Sequence, residues 1–209
     1  RVTTALNSNT GTYDEALMLI MERSGYPEET FYTFSYSPVP DGQGGNGGIF
    51  CANTDDTARI IGARQLALLQ SVSSTLSDAR NIEEASQKAM SCLTGRDVTF
   101  AALYLQDQQG GFQRIGAAGF DGNHEAVPMT LTPETATFWP LESVLGTAHP
   151  VVVEDLSGTA PFPSGPWDRP PCKVALISVA PPGEVGRPGN VMVGLNPYRL
   201  FDDTYQNAV

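Results

Sequence analysis

EETFYTFSYSPVPDGQGGNGGIFCANTDDT, residues 28–57, is the stretch that decides the fold. Phe31-Tyr32-Thr33-Phe34-Ser35-Tyr36 alternates aromatic and β-branched or hydroxyl residues, the pattern of a strand with two unlike faces. Pro38 and Pro40 are expected to stop it. Residues 41–48 (DGQGGNGG) hold five glycines in eight positions and read as a loop. Ile49-Phe50-Cys51-Ala52-Asn53 then resumes as a short strand. Two strands joined by a glycine-rich reversal make an antiparallel pair. Upstream, residues 15–23 (EALMLIMER) form an apolar run that periodicity alone leaves open between helix and strand. As a strand it would complete a three-stranded meander.

Downstream the character changes. Residues 55–79 lose nearly all glycine and fill with helix formers (TARIIGARQLALLQSVSSTLSDA within them). Leu69, Val72, Leu76 and Ala79 recur at three- and four-residue spacing, as one face of a helix requires. Ile61 and Leu68 extend that stripe upstream. A second helix is expected from Asn81, with Glu84 at the capping-box position, Ile82, Ala85, Ala89 and Leu93 as its apolar face, and Gly95 as its stop. From residue 97 strands return: 98–105 (VTFAALYL), a turn at 107–111 (DQQGG), 112–120, 151–153, 173–180 and 191–195, with irregular Pro- and Gly-rich segments between. A last helix is expected to start at Asp202. The chain opens on Arg1 rather than Met, and we read it as an excerpt of something longer, cut within that helix.

Composition narrows the function. The chain has 209 residues with 12 basic and 23 acidic side chains, a formal charge of −11. Its basic residues are scattered, no two adjacent. Nucleic acid and anionic membranes are held chiefly by Lys and Arg, so both are poor partners for this chain. The longest apolar runs, such as 16–21, are far short of a membrane span. Cys51, Cys92 and Cys172 make an odd, sparse set without a C-x-x-C, which predicts a reducing, cytoplasmic setting and buried, inert thiols.

Catalytic motifs are weak. A triad or a metal site would draw on His124 or His149, the only histidines. His124 sits in the polar stretch DGNHE and His149 before Pro150, positions that favour solvated and structural roles. The glycines of 41–48 imitate a phosphate loop, but neither helix nor lysine follows. Glu28-Glu29 and Asp202-Asp203 read as solvated faces or helix starts rather than a catalytic dyad. Phe138, Trp139, Phe162, Trp167 and Tyr104 are the candidates for lining a ligand pocket, with a plain aromatic core as the competing reading. No metal site and no catalytic constellation is assigned.

Residues 28–39 (EETFYTFSYSPV), followed by the Gly-rich turn and GIFCANTDDT at 48–57, resemble the C-terminal half of a sensory PAS domain. The preceding ALMLIMERSGYPEE is similar to the strand before it, which favours strand over helix at 15–23. Residues 80–209 resemble a GAF domain, through FAALYLQD (100–107), RIGAAGF (114–120), Trp139-Pro140-Leu141, PVVVEDL (150–156), SGPW (164–167) and VMVGLNPYRLFDDTY (191–205). The order matches multidomain sensor histidine kinases of two-component phosphorelay systems. The resemblance implies an α+β fold: an antiparallel PAS fragment (1–57), a connecting signalling helix (58–79), and a GAF domain (80–209). That domain should hold a six-stranded antiparallel sheet, with helices on one face and a ligand cavity on the other. It also implies a cytoplasmic relay that acts on a kinase or other output domain and catalyses nothing itself. The helical stripe of Ile61, Leu68, Leu69, Val72 and Leu76 reads either as the seam of a parallel homodimer or as packing on the chain's own GAF sheet. The cofactor stays unknown: no Cys precedes a His as in bilin attachment, and the N-K-x(n)-F-x3-D-E signature of cyclic-nucleotide sites is missing. Two alternatives stay open. One is a GAF-type thiol enzyme resembling methionine sulfoxide reductases. The other is the same input attached to a phosphatase, cyclase or transcriptional output.

Overall fold

The structure is a computed structural model, and it describes residues 1–77, 79–132, 138–179, 187–202 and 205, with only the backbone of Leu76. The chain divides into two compact units, residues 1–66 and 67–209. Both are built on antiparallel sheets, so the fold is α+β as expected.

The first unit opens with a short helix α1 (Val2–Ser8), which the sequence reading missed. Its Val-Thr-Thr start is a poor helix former. Burial of Ala5 and a hydrogen bond from the Asn46 amide to Leu6 O at 2.6 Å hold it instead. Strands β1 (Thr12–Glu22), β2 (Pro27–Pro40) and β3 (Asn46–Asp55) then form the meander in the order β1-β2-β3. Pro38 does not end β2, contrary to expectation, and the strand stops only at Pro40. β1 pairs with β2 only as far as Thr12 opposite Tyr36, so residues 37–40 have a neighbour on one side alone. There a proline's missing N–H can face the open side without breaking a ladder. The reversal into β3 is closed by Asp41, whose carboxylate accepts from the N–H groups of Gln43 (2.7 Å) and Gly45 (2.9 Å).

Helix α2 (Thr57–Leu76) follows, and the boundary between the two units falls inside it. Helix α3 (Ile82–Leu93) starts as the sequence predicts: Asn81 accepts from the Glu84 N–H at 2.8 Å, and the Glu84 carboxylate accepts from the Arg80 N–H at 3.2 Å. Of its expected apolar face, Ala89 and Leu93 pack on the sheet core and Ala85 is partly buried, but the face is shifted. Ile82 is exposed, and Ser86 and Met90 are buried. The stripe is rotated because α3 must lie close on a strand: a Cβ at Gly116 would come within 2.8–2.9 Å of Ser86.

The second unit carries β4 (Val98–Gln106), β5 (Phe112–Ala118), β6 (Thr130–Leu131), helix α4 (Leu141–Val144), β7 (Val151–Val153), β8 (Val174–Val179) and β9 (Gly189–Leu195). They make one antiparallel sheet of six strands in the order β6-β5-β4-β9-β8-β7. Side-chain alternation gives it two cores. One face carries Phe100, Ala102, Tyr104, Val174, Leu176 and Met192 under Trp139, α4 and Phe162. The other carries Ala101, Ala175, Val193 and Leu195 under Met90 of α3. A register shift between Val98 and Phe100 puts Val98 on the α3 side, against simple alternation. Gly119 permits the crowding there: its φ is +94°, and a Cβ would lie 2.5 Å from Thr99 O. The final helix expected from Asp202 falls largely outside the described residues. Tyr205 itself is buried and donates to Asp97 O.

Candidate functional site

Three places bear on function. The first is the root of α2. Backbone and side chains knit it to β2: Asp56 N donates to Phe31 O (2.9 Å), and Phe31 N donates to Thr57 Oγ1 (3.0 Å). Asp55 Oδ1 accepts from Thr57 N at 2.9 Å. Arg23, at the end of β1, grips Glu28 through Nη2 (2.8 Å) and Nε (3.0 Å) and pairs with Asp55 through Nη1. Thr57's hydrogen bonds first, and Arg23 after them, hold the Asp55 carboxyl at about 2. Two turns on, Arg64 meets the fully buried Glu29 with two bonds of 2.8 and 3.0 Å. A paired, bidentate geometry is what allows a carboxylate to be buried at all.

A polar chain reaches this root from β1. Ala16 has a φ of +48° at the register shift between Asp14 and Leu17. The bulge throws its N–H out of the ladder. That N–H donates to Thr33 Oγ1 at 2.9 Å, and the Thr33 hydroxyl donates to Asp56 Oδ2 at 2.5 Å. Asp56 also accepts from Arg59 Nε at 2.9 Å. Thr33 and Arg59 together keep the Asp56 carboxyl below the usual carboxylate range. At the far end of α2, Cys92 of α3 accepts from the Ser71 hydroxyl (3.7 Å) and donates to Thr75 Oγ1 (3.4 Å). Of the stripe proposed from sequence, Ile61 is buried, Leu68 and Val72 are half-buried, and Leu69 is exposed. The side chain of Leu76 lies outside the described residues. Leu66, which the stripe did not include, is 58% exposed, more than Leu69 at 49%.

The second place is the aromatic face of the six-stranded sheet. Phe138 meets Trp139 edge-on at 4.9 Å, Trp139 meets Phe162 at 5.9 Å, and Phe162 stacks on Phe100 at 5.3 Å. Tyr104 is fully buried there, and its hydroxyl donates to Pro128 O at 2.7 Å. Burial pushes its pKa up. Trp167 stands apart from this group. It packs on Tyr198 at 5.3 Å and under the Arg96 guanidinium, and its indole N–H donates to Arg96 O. Four of the five proposed pocket residues thus share one core, and the fifth belongs to a knot that joins Arg96 to the segment after β9. Phe138 and Trp139 also line an open cleft of about 330 Å³ with Leu131 and Ala160. A second cleft of about 330 Å³ lies beside β5, with Arg114 in its wall. Sequence reasoning passed over Arg114. The signal was there as a single cation inside an otherwise apolar strand, RIGAAGF.

The third place is the thiols and histidines. All three cysteines are free, and Cys51 and Cys172 are exposed, which corrects the expectation of buried thiols. Cys51 lies on β3, an outer strand of the small sheet, and Cys172 lies in the segment before β8, so neither is covered. His124 sits edge-on to Phe120 at 5.6 Å, and its Nδ1 accepts from Ala126 N at 3.3 Å. Among the described residues no group of three His, Cys, Asp or Glu could hold a metal ion. Nor is any described helix long and apolar enough to cross a membrane.

No protein-family model and no curated protein matches the chain. Solved structures do. A GAF domain from an Acinetobacter phosphoenolpyruvate-protein phosphotransferase is 14% identical, with a TM-score of 0.49, over 69% of this chain and 85% of its own. The GAF domain of the corresponding Coxiella burnetii protein is also 14% identical, with a TM-score of 0.48, over 69% and 84%. The chromophore-binding domain of a Stigmatella aurantiaca bacteriophytochrome is 10% identical, with a TM-score of 0.44, over 93% of this chain and 70% of its own.

Proposed function

We propose that this chain is a sensory and relay region, a partial PAS domain followed by a GAF domain, of a multidomain signal transduction histidine kinase in the cytoplasm. It acts by shape: an event in either unit biases the packing or rotation of α2, and α2 hands the bias to an output domain elsewhere in the parent protein. The motif residues at 28–57 and the six-stranded antiparallel order favour this reading. Two exposed free thiols fit a reducing compartment.

One observation carries it. The first two turns of α2 are tied to the middle strand of the small sheet by two backbone-directed bonds, the Arg23 network and the pair of Arg64 with the buried Glu29. A helix fastened so firmly at its root moves with its sheet, which is what a relay needs. The partner is a second copy of the chain, met along the exposed side of α2. Substituting Leu66→Glu and Leu69→Glu together tests this by light scattering. A dimer that becomes a monomer is the expected result. An unchanged mass would overturn the helix interface.

A further inference from the structure

We propose that the cleft beside β5 binds a small organic anion, its carboxylate against the Arg114 guanidinium and its apolar body over Ile115, Ala117 and Phe120. It rests on the reading of the second unit as a ligand sensor and supplies the ligand class.

The cleft is open on one side and has a volume of about 330 Å³, at the small end of the range for small-molecule sites. In a chain with 23 acidic and 12 basic side chains, its wall contains an arginine and no acid. Arg114 is only 9% exposed. A cation so buried ordinarily has a carboxylate partner, because removing the charge from water is costly. Among the described residues Arg114 has none. Nη1 donates to Val127 O. Nη2 has only long contacts to Gly122 O (3.3 Å) and Asn123 Oδ1 (3.4 Å), plus the Met129 thioether, a weak acceptor. The ring of Phe120 lies 5.3 Å from the guanidinium carbon and covers one side. The fork is therefore oriented and charged, and its second nitrogen is poorly matched. A carboxylate offers the strong acceptor it lacks.

Calorimetry on the full chain at constant ionic strength tests this with benzoate, its neutral analogue benzyl alcohol, and inorganic phosphate. Saturable 1:1 binding of benzoate is expected, with phosphate weaker and benzyl alcohol undetected. Arg114→Gln should weaken benzoate by about tenfold or more, the effect of losing a charge-assisted bond. Ile115→Trp should abolish binding by filling the cleft while leaving the guanidinium in place. That second variant and the benzyl alcohol comparison decide the matter if Arg114→Gln fails to fold. Equal binding of benzoate and benzyl alcohol, equal binding of phosphate, retained affinity in Ile115→Trp, or no saturable heat would each overturn the proposal. Calorimetry reads binding alone, and the mass of the Leu66/Leu69 variant reads the relay, so either idea can fail without the other.

Discussion

The three-stranded and six-stranded sheets are made of the same antiparallel hairpins, but they are stabilised differently. Even their turns match: Asp107 accepts from the N–H groups of Gln109 and Gly111 at 2.8 and 2.9 Å, as Asp41 does from Gln43 and Gly45. The large sheet is covered on both faces by apolar clusters. The small sheet leaves Tyr13, Leu17, Ile20, Met21, Val39 and Phe50 exposed. What it lacks in apolar burial it replaces with polar ties to α2. One sheet is thus stable in itself, and the other is organised around the helix that leaves it.

The contrast can be broken most sharply at Phe100. It is fully buried and stacked on Phe162, so Phe100→Ala should cost about 3–5 kcal/mol. Both tryptophans, Trp139 and Trp167, lie in the second unit, so urea unfolding followed by tryptophan fluorescence isolates the loss. A near-wild-type midpoint would mean that the aromatic face is not what holds this sheet.

Glu29→Gln is the matching blow to the small sheet. It removes the negative charge from the pair that Glu29 makes with the half-buried Arg64, at a cost of about 2–4 kcal/mol. Hydrogen exchange of the amides in residues 57–66 should speed up markedly while the tryptophan signal is unchanged. Equal loss by both probes would show that the two units unfold as one.

Thr33→Val cuts the chain from Ala16 to Asp56 at both ends. About 1–2 kcal/mol should be lost from the first unit, because the bulged N–H of Ala16 then has no acceptor. Thr33→Ser, which keeps the hydroxyl, should restore most of it. If the serine variant behaves like the valine one, packing rather than hydrogen bonding holds the bulge.

Acid should sharpen the comparison most gently. Asp55 has its carboxyl lowered from 3.8 to about 2. The unfolded chain therefore takes up its proton first, and Asp55 stabilises the fold fully above pH ~4. That contribution fades as pH falls through about 2. In circular dichroism of wild type against Asp55→Asn, the difference in first-unit stability should shrink between those pH values. A constant difference would show that Asp55 acts as a helix cap without regard to its charge.

Much of this was legible in residue patterns and some was not, for reasons that can be named. The hairpin turns, the Asn81 cap and the strands at 98–106 and 189–195 are set by local chemistry, which a sequence displays. Helix α1 depends on burying Ala5 against distant residues, and its own Val-Thr-Thr argues otherwise. That β2 passes through Pro38 depends on where β1 stops pairing, a tertiary fact that the proline alone misrepresents. Ile82 looked like core because the stripe was taken from periodicity, whereas Gly116 sets how α3 lies on β5. At the candidate site, the aromatics were visible as residues, but only packing separates Trp167 from the other four. Arg114 carries its meaning in what surrounds it, and the Ala16 bulge left no mark in the sequence.

The outermost strands of the large sheet are very short: β6 has two residues and β7 has three. They offer almost no free row of amides and carbonyls for a foreign chain to zip onto. Among the described outer strands, β1 and β3 are the long ones, at 11 and 10 residues, and so give cross-molecular strand pairing its longest start. Gatekeeping against aggregation thus rests on the small sheet, where the kink at Ala16 interrupts one of those edges.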